Sequence, residues 1–149
     1  MADLRSHKLL VTDPHLTSPT PPMAIATISA PRITPQMHHL LPVSRTGITS
    51  ETSRPDPAKV MSGDPVHTTW PVEDRSPIFA GLWHSTPGKW RVSYDEWEYF
   101  RLLEGTSILT DADGQSTTLR AGDAFVIRPG FSGTWEVLDA TLKDYVIVV

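Results

Sequence analysis

The 149-residue chain contains no cysteine, which excludes disulfides, thiolate metal sites and cysteine nucleophiles. It also has no run of about 18 apolar residues, the length a spanning helix requires, so no membrane partner is expected. Positive charge is scarce: 13 Lys and Arg stand against 17 Asp and Glu, a formal net charge of −4. Without a positive field to gather phosphates, nucleic acid is not expected as a partner either. The opening "MADLRSHKLLVTDPHL" has an apolar run too short and too interrupted for a secretory signal. A cytoplasmic address is the expectation. The length suits one domain with a real core.

Two further absences divide the chain. No aromatic residue precedes Trp70, and only Gly47 among nine glycines precedes Gly63. Seven prolines fall by residue 42, in stretches such as "TSPTPPM" and "SAPRITPQ", which favour extended or polyproline conformations over a ladder interior. Residues 1–53 therefore read as an extended, Pro-rich N-terminal arm and residues 54–149 as the domain. Within the arm, "MAIATISA" and "HHLLPV" are apolar enough to pack as edge strands or as a strap on a second subunit. A start of translation at Met23, Met37 or Met61 stays open.

From residue 78 onward, segments rich in β-branched and aromatic residues alternate with breakers. The strands are "IFAGLWHS", "KWRVSYDEWEYFRLL", "TSILTD", "STTLR", "DAFVIR", "GTWEVL" and "KDYVIVV", separated by turns such as "TPGK", "AGD" and "RPGFSG". "DADGQS" between two alternating segments is a hairpin signal. No sustained 3.6-residue apolar period appears. The fold class is an all-β sandwich or barrel.

Three pieces carry a family resemblance: Glu98 followed after six residues by Gly105, "AGDAFVIRPG", and the strand "GTWEV" beyond it. They resemble the two motifs of the cupin superfamily, small jelly-roll β-barrels. More narrowly, "SGDPVHTTW", "GLWHSTPGKWRVSYDEWE", "LLEG" and "LKDYV" resemble the single-domain (S)-ureidoglycine aminohydrolase-type cupins, with an ethanolamine-utilisation cupin more distant. The resemblance spans about residues 54–149. It implies the barrel but names no substrate, because one fold hosts many functions.

The resemblance also implies where a metal would be held. Histidines of the first motif would fall near positions 91–94, which are Arg91, Val92, Ser93 and Tyr94. The second-motif histidine would fall at Gly133. Glu98 remains alone, and one carboxylate does not hold a catalytic dication. Neither a metal nor another cofactor is expected. Of the histidines at 7, 15, 38, 39, 67 and 84, only His84 is placed in a strand, on the face opposite Trp83.

Strand alternation then sorts the interior. With Glu98 inward, Tyr94, Glu96, Phe100 and Leu102 share its side, unless a bulge swaps the first two, while Trp97, Tyr99 and Arg101 face outward. Gly133, Trp135 and Val137 face inward from the second motif. Family positions place Lys143 and Tyr145 on the pocket side. The expected ligand-binding set is Tyr94, Glu98, Phe100, Leu102, Trp135 and Lys143, suited to a small polar metabolite of amine, amino acid or ureide type. One alternative is a metal-independent isomerase, lyase or amidohydrolase-like enzyme, with Glu98 as general acid or base and Lys143 or Tyr145 polarising the substrate. Another alternative is a non-catalytic interaction module. If Lys143 pairs with Glu98, the two form an ion pair that anchors the fold or a ligand. Trp83, Trp90 and Trp97 read as core or dimer-interface residues, and a homodimer is expected.

Overall fold

The structure, a computed structural model, describes residues 39–149. The expected arm lies outside the described residues as far as position 38. Nine strands follow: β1 Glu51–Ser53, β2 Val60–Gly63, β3 His67–Arg75, β4 Ile78–Ser85, β5 Gly88–Ser93, β6 Trp97–Asp111, β7 Ser116–Arg120, β8 Ala124–Ile127 and β9 Ser132–Val148. Every pairing is antiparallel. Among the described residues no helix is long and apolar enough to cross a membrane.

Two strands belong to both halves of a curled sandwich. The first half of β6 pairs β8 and the end of β9, and its second half pairs β7 and the start of β9. The end of β9 also pairs β4, which continues to β3 and β1, while its start pairs β5, which continues to β2. The bends fall where the β6–β9 register shifts between Leu102 and Ser107, as bulges allow. This is the all-β, jelly-roll architecture expected.

Gly105 makes the corner possible. Its φ is +85°, and a Cβ there would lie 2.2 Å from the Ala140 carbonyl oxygen of the crossing β9. Gly114, in the β6–β7 hairpin, has φ +82° but open space around it. Gly114→Ala is expected to cost about 1–2 kcal/mol through the left-handed backbone alone. Gly105→Ala should cost clearly more, since backbone must also move. Urea unfolding of the two variants checks the order.

The hairpin forms as the "DADGQS" pattern predicts. The Asp111 carboxylate accepts from the amides of Asp113 at 3.0 Å and Gln115 at 2.9 Å, an Asx turn that presets the reversal.

The inward faces meet in one core. Trp83, Phe100, Tyr145 and Ile147 come from one half of the curled sheet, and Trp90, Val92, Trp135, Val137 and Leu119 from the other half. Residues 94–102 show the predicted alternation: Tyr94, Glu96, Glu98, Phe100 and Leu102 are buried, while Asp95 and Arg101 are exposed.

The expected strand boundaries need correction. The single strand expected over 89–103 is broken at Tyr94–Glu96, and "TSILTD" continues β6 rather than standing alone. "GTWEVL" and "KDYVIVV" are likewise one strand, β9. β3 was not foreseen. Its Pro71 lies beyond the residues that β1 pairs, at a bulge against β4, where a missing N–H is tolerated.

Candidate functional site

The structure brings Glu98 and Lys143 together. Lys143 Nζ donates to Glu98 Oε1 at 2.5 Å, and the residues are 6% and 3% exposed. The pair sits in the core because β6 and β9 are neighbours with both side chains on the inward face: Glu98 lies opposite Ile147, and Lys143 opposite Leu102 and Trp83. Three rings enclose the ammonium, with centroids 5.0 Å away for Trp83, 5.0 Å for Phe100 and 4.6 Å for Trp135. Their negative π faces add to the carboxylate's attraction. The ammonium is thus held from several sides in a place where bulk water does not screen it.

Burial shapes the neighbouring titrating groups. It pushes the Tyr94 phenol well above its ordinary range, helped by the charges of Glu98 and Glu96. Tyr145 is raised for the same first reason, with the Glu98 charge next. Both phenols stay protonated at neutral pH and serve only as neutral groups there. The Glu96 carboxyl is also raised, by burial first; amide hydrogen bonds such as that from Asp95 N at 3.1 Å oppose this, and the Glu98 charge reinforces it.

The donor set does not fit the metal that the resemblance implies. Positions 91–94 supply no imidazole, and a Cβ at Gly133 would lie 1.9 Å from the Thr110 carbonyl oxygen. A histidine there has no room while β6 and β9 hold this register. Among the described residues no group of three His, Asp or Glu is placed to hold a metal ion. Beside Glu98 the cation is the Lys143 ammonium.

The expectation that only His84 lies in a strand is corrected by His67. It opens β3, is wholly buried, and lies between Trp83 and Trp90 with ring centroids 4.9 Å away on each side. Neither of its nitrogens has a hydrogen-bond partner among the described residues. Burial, with the Lys143 charge contributing, lowers its pKa to about 3, so it is neutral at physiological pH. The signal is "VHTTW", a short β-favouring run ahead of Pro71. His84 is half-buried and opposite in facing to buried Trp83, as alternation required.

A cavity of about 790 Å³ opens elsewhere, between β7 and β8. Among the described residues each of these strands pairs only with β6, and the slot lies beside their other edges. Leu109, Leu119, Phe125 and Ile127 make its apolar floor, and Phe131 and Trp97 add aromatic wall. Asp111, Gln115, Thr117 and Arg128 are its polar members. Glu98, Lys143, Tyr145, Tyr94, Phe100, Leu102 and Trp135 do not line this cavity. Phe125 joins the two regions, stacking on Phe100 at 6.0 Å. Trp97, read as core or interface, is a slot residue, whereas Trp83 and Trp90 are core. Sequence reasoning missed the slot because its wall is assembled from two free strand edges, which no local pattern announces.

Comparison with known proteins agrees with this fold. Residues 72–145 match the EutQ-like cupin domain. A Pseudomonas syringae pv. tomato protein of unknown function, from the DUF861 family, is 26% identical with a TM-score of 0.62, over 68% of this chain and 44% of its own. The Clostridium difficile EutQ protein is 20% identical with a TM-score of 0.51, over 56% of this chain and 63% of its own. The Schizosaccharomyces pombe Cnp3 cupin domain, 12% identical with a TM-score of 0.50, covers 56% of this chain and 64% of that one. The chain thus spans less than half the length of the Pseudomonas protein. No curated protein matches the chain. The jelly roll carried by residues 72–145 is thus similar to the EutQ-like cupin domain.

Proposed function

We propose that the protein binds a small polar metabolite, of amine, amino acid or ureide type, in the slot between β7 and β8. The supporting observation is the slot itself: about 790 Å³, an aromatic and aliphatic floor, and a few polar groups at Asp111, Gln115, Thr117 and Arg128. Small-molecule sites have this size and this mixture, with apolar area for affinity and sparse polar groups for orientation. Glu98 and Lys143 serve as the charged keystone behind the floor. A role for Glu98 as general acid or base would require a ligand to pass Phe125 and break a sealed ion pair.

A thermal-shift panel of amines, amino acids, ureides and sugar acids tests the reading, since a ligand that prefers the native state raises its stability. At least one class should raise Tm, and Thr117→Trp, which fills the slot from β7, should abolish the response. A compound that stabilises Thr117→Trp as much as the parent would place binding elsewhere. A panel without any response would remove the reading.

A further inference from the structure

The slot wall carries two formal charges, Arg128 just beyond β8 and Asp111 at the end of β6. Among the described residues, neither makes an ion pair. The Arg128 side chain has no hydrogen-bond partner among those residues either; its backbone carbonyl accepts from Phe131 N at 3.3 Å. Asp111 Oδ1 accepts from two turn amides, at 2.9 and 3.0 Å, which leaves Oδ2 without a hydrogen bond among the described residues. The remaining polar members, Gln115 and Thr117, are neutral. The Lys143 ammonium offers nothing further, because Glu98 and three rings already surround it.

We propose that the slot selects a zwitterionic amino acid with an apolar side chain. The inference rests on the slot reading above and narrows its ligand class. The ligand carboxylate pairs with the Arg128 guanidinium, whose planar fork matches it. The ligand ammonium pairs with Asp111, and the side chain packs on Phe125, Phe131 and Leu119. Charge decides between the classes. A plain amine leaves Arg128 uncompensated and is repelled by it, and a plain carboxylate meets the same difficulty at Asp111. A zwitterion satisfies both charges and adds no net charge to an apolar-floored site.

Calorimetric titration of the full chain with three matched probes tests this: L-phenylalanine, L-phenylalaninamide and 3-phenylpropionate. L-Phenylalanine should bind about tenfold or more tighter than either of the others. Arg128→Gln should bring L-phenylalanine down to the level of its amide. Asp111→Asn, which keeps an Oδ1 acceptor for the turn, should bring it down to the level of phenylpropionate. Circular dichroism confirms that both variants fold. Equal binding of the three probes, or binding untouched by the two substitutions, overturns the zwitterion assignment; if Thr117→Trp still abolishes that binding, the slot reading survives. Absence of binding by all three probes also overturns the assignment, and the broader panel then judges the slot separately.

Discussion

Lys143→Met is expected to lower the free energy of unfolding by about 3–5 kcal/mol, the cost of leaving a buried charge without its partner. The carboxylate of Glu98, 3% exposed, would then lie near the raised phenols of Tyr94 and Tyr145 without a paired cation among the described residues. Glu98→Gln should be costly for the converse reason, since the ammonium would keep its three rings and lose its counter-charge. The double variant Glu98→Gln/Lys143→Met should recover most of the loss, because a neutral pair of similar volume carries little desolvation penalty. Urea unfolding of the parent, both single variants and the double variant measures the coupling directly. Additive losses would mean that the two groups do not act as a pair.

The second large effect belongs to His67 and appears only in acid. Its folded pKa is about 3 against an ordinary 6.5, with burial the leading cause. The unfolded chain therefore binds a proton at a pH where the folded chain refuses it. The stability that follows is fully present above pH 6.5 and is lost progressively as pH falls toward 3. Between pH 7 and pH 4 the loss from this one group is about 3 kcal/mol. Carboxylates contribute their own acid dependence, so the comparison with His67→Leu isolates the imidazole. The difference in unfolding free energy between parent and variant should move in the variant's favour by that amount across the window. Parallel pH curves would show that His67 takes up its proton in the folded state as readily as in the unfolded chain.

The local parts of this molecule were readable from its residues, and the long-range parts were not. The alternation from Tyr94 to Leu102 predicted which side chains enter the barrel, because a strand has only two faces. Family positions, not alternation, placed Lys143 on the pocket side with Glu98, where the ion pair forms. The turn at Asp111–Gln115 was readable, since its chemistry lies within five residues. β6 and β9 could not be seen as continuous strands, because their bends depend on Gly105 meeting Ala140 across the fold. β3 was not read as a strand, and its Pro71 is tolerated because it lies beyond the residues that β1 pairs. His67 was lost with that strand. The slot depends on which edges stay unpaired among the described residues, a property of the whole sheet order.

These features converge on one view of the barrel interior: its resident cation is the Lys143 ammonium, locked to Glu98 and enclosed by Trp83, Phe100 and Trp135. The most direct measurement is the hydrogen exchange and chemical shift of the lysine side-chain N–H groups by ¹H–¹⁵N NMR. Lys59 and Lys89, both more exposed, serve as references. The Lys143 ammonium should give a separate signal, displaced by the three rings and exchanging with water far more slowly than the references. A Lys143 signal that exchanges as fast as that of Lys59 and shows no ring displacement would contradict it.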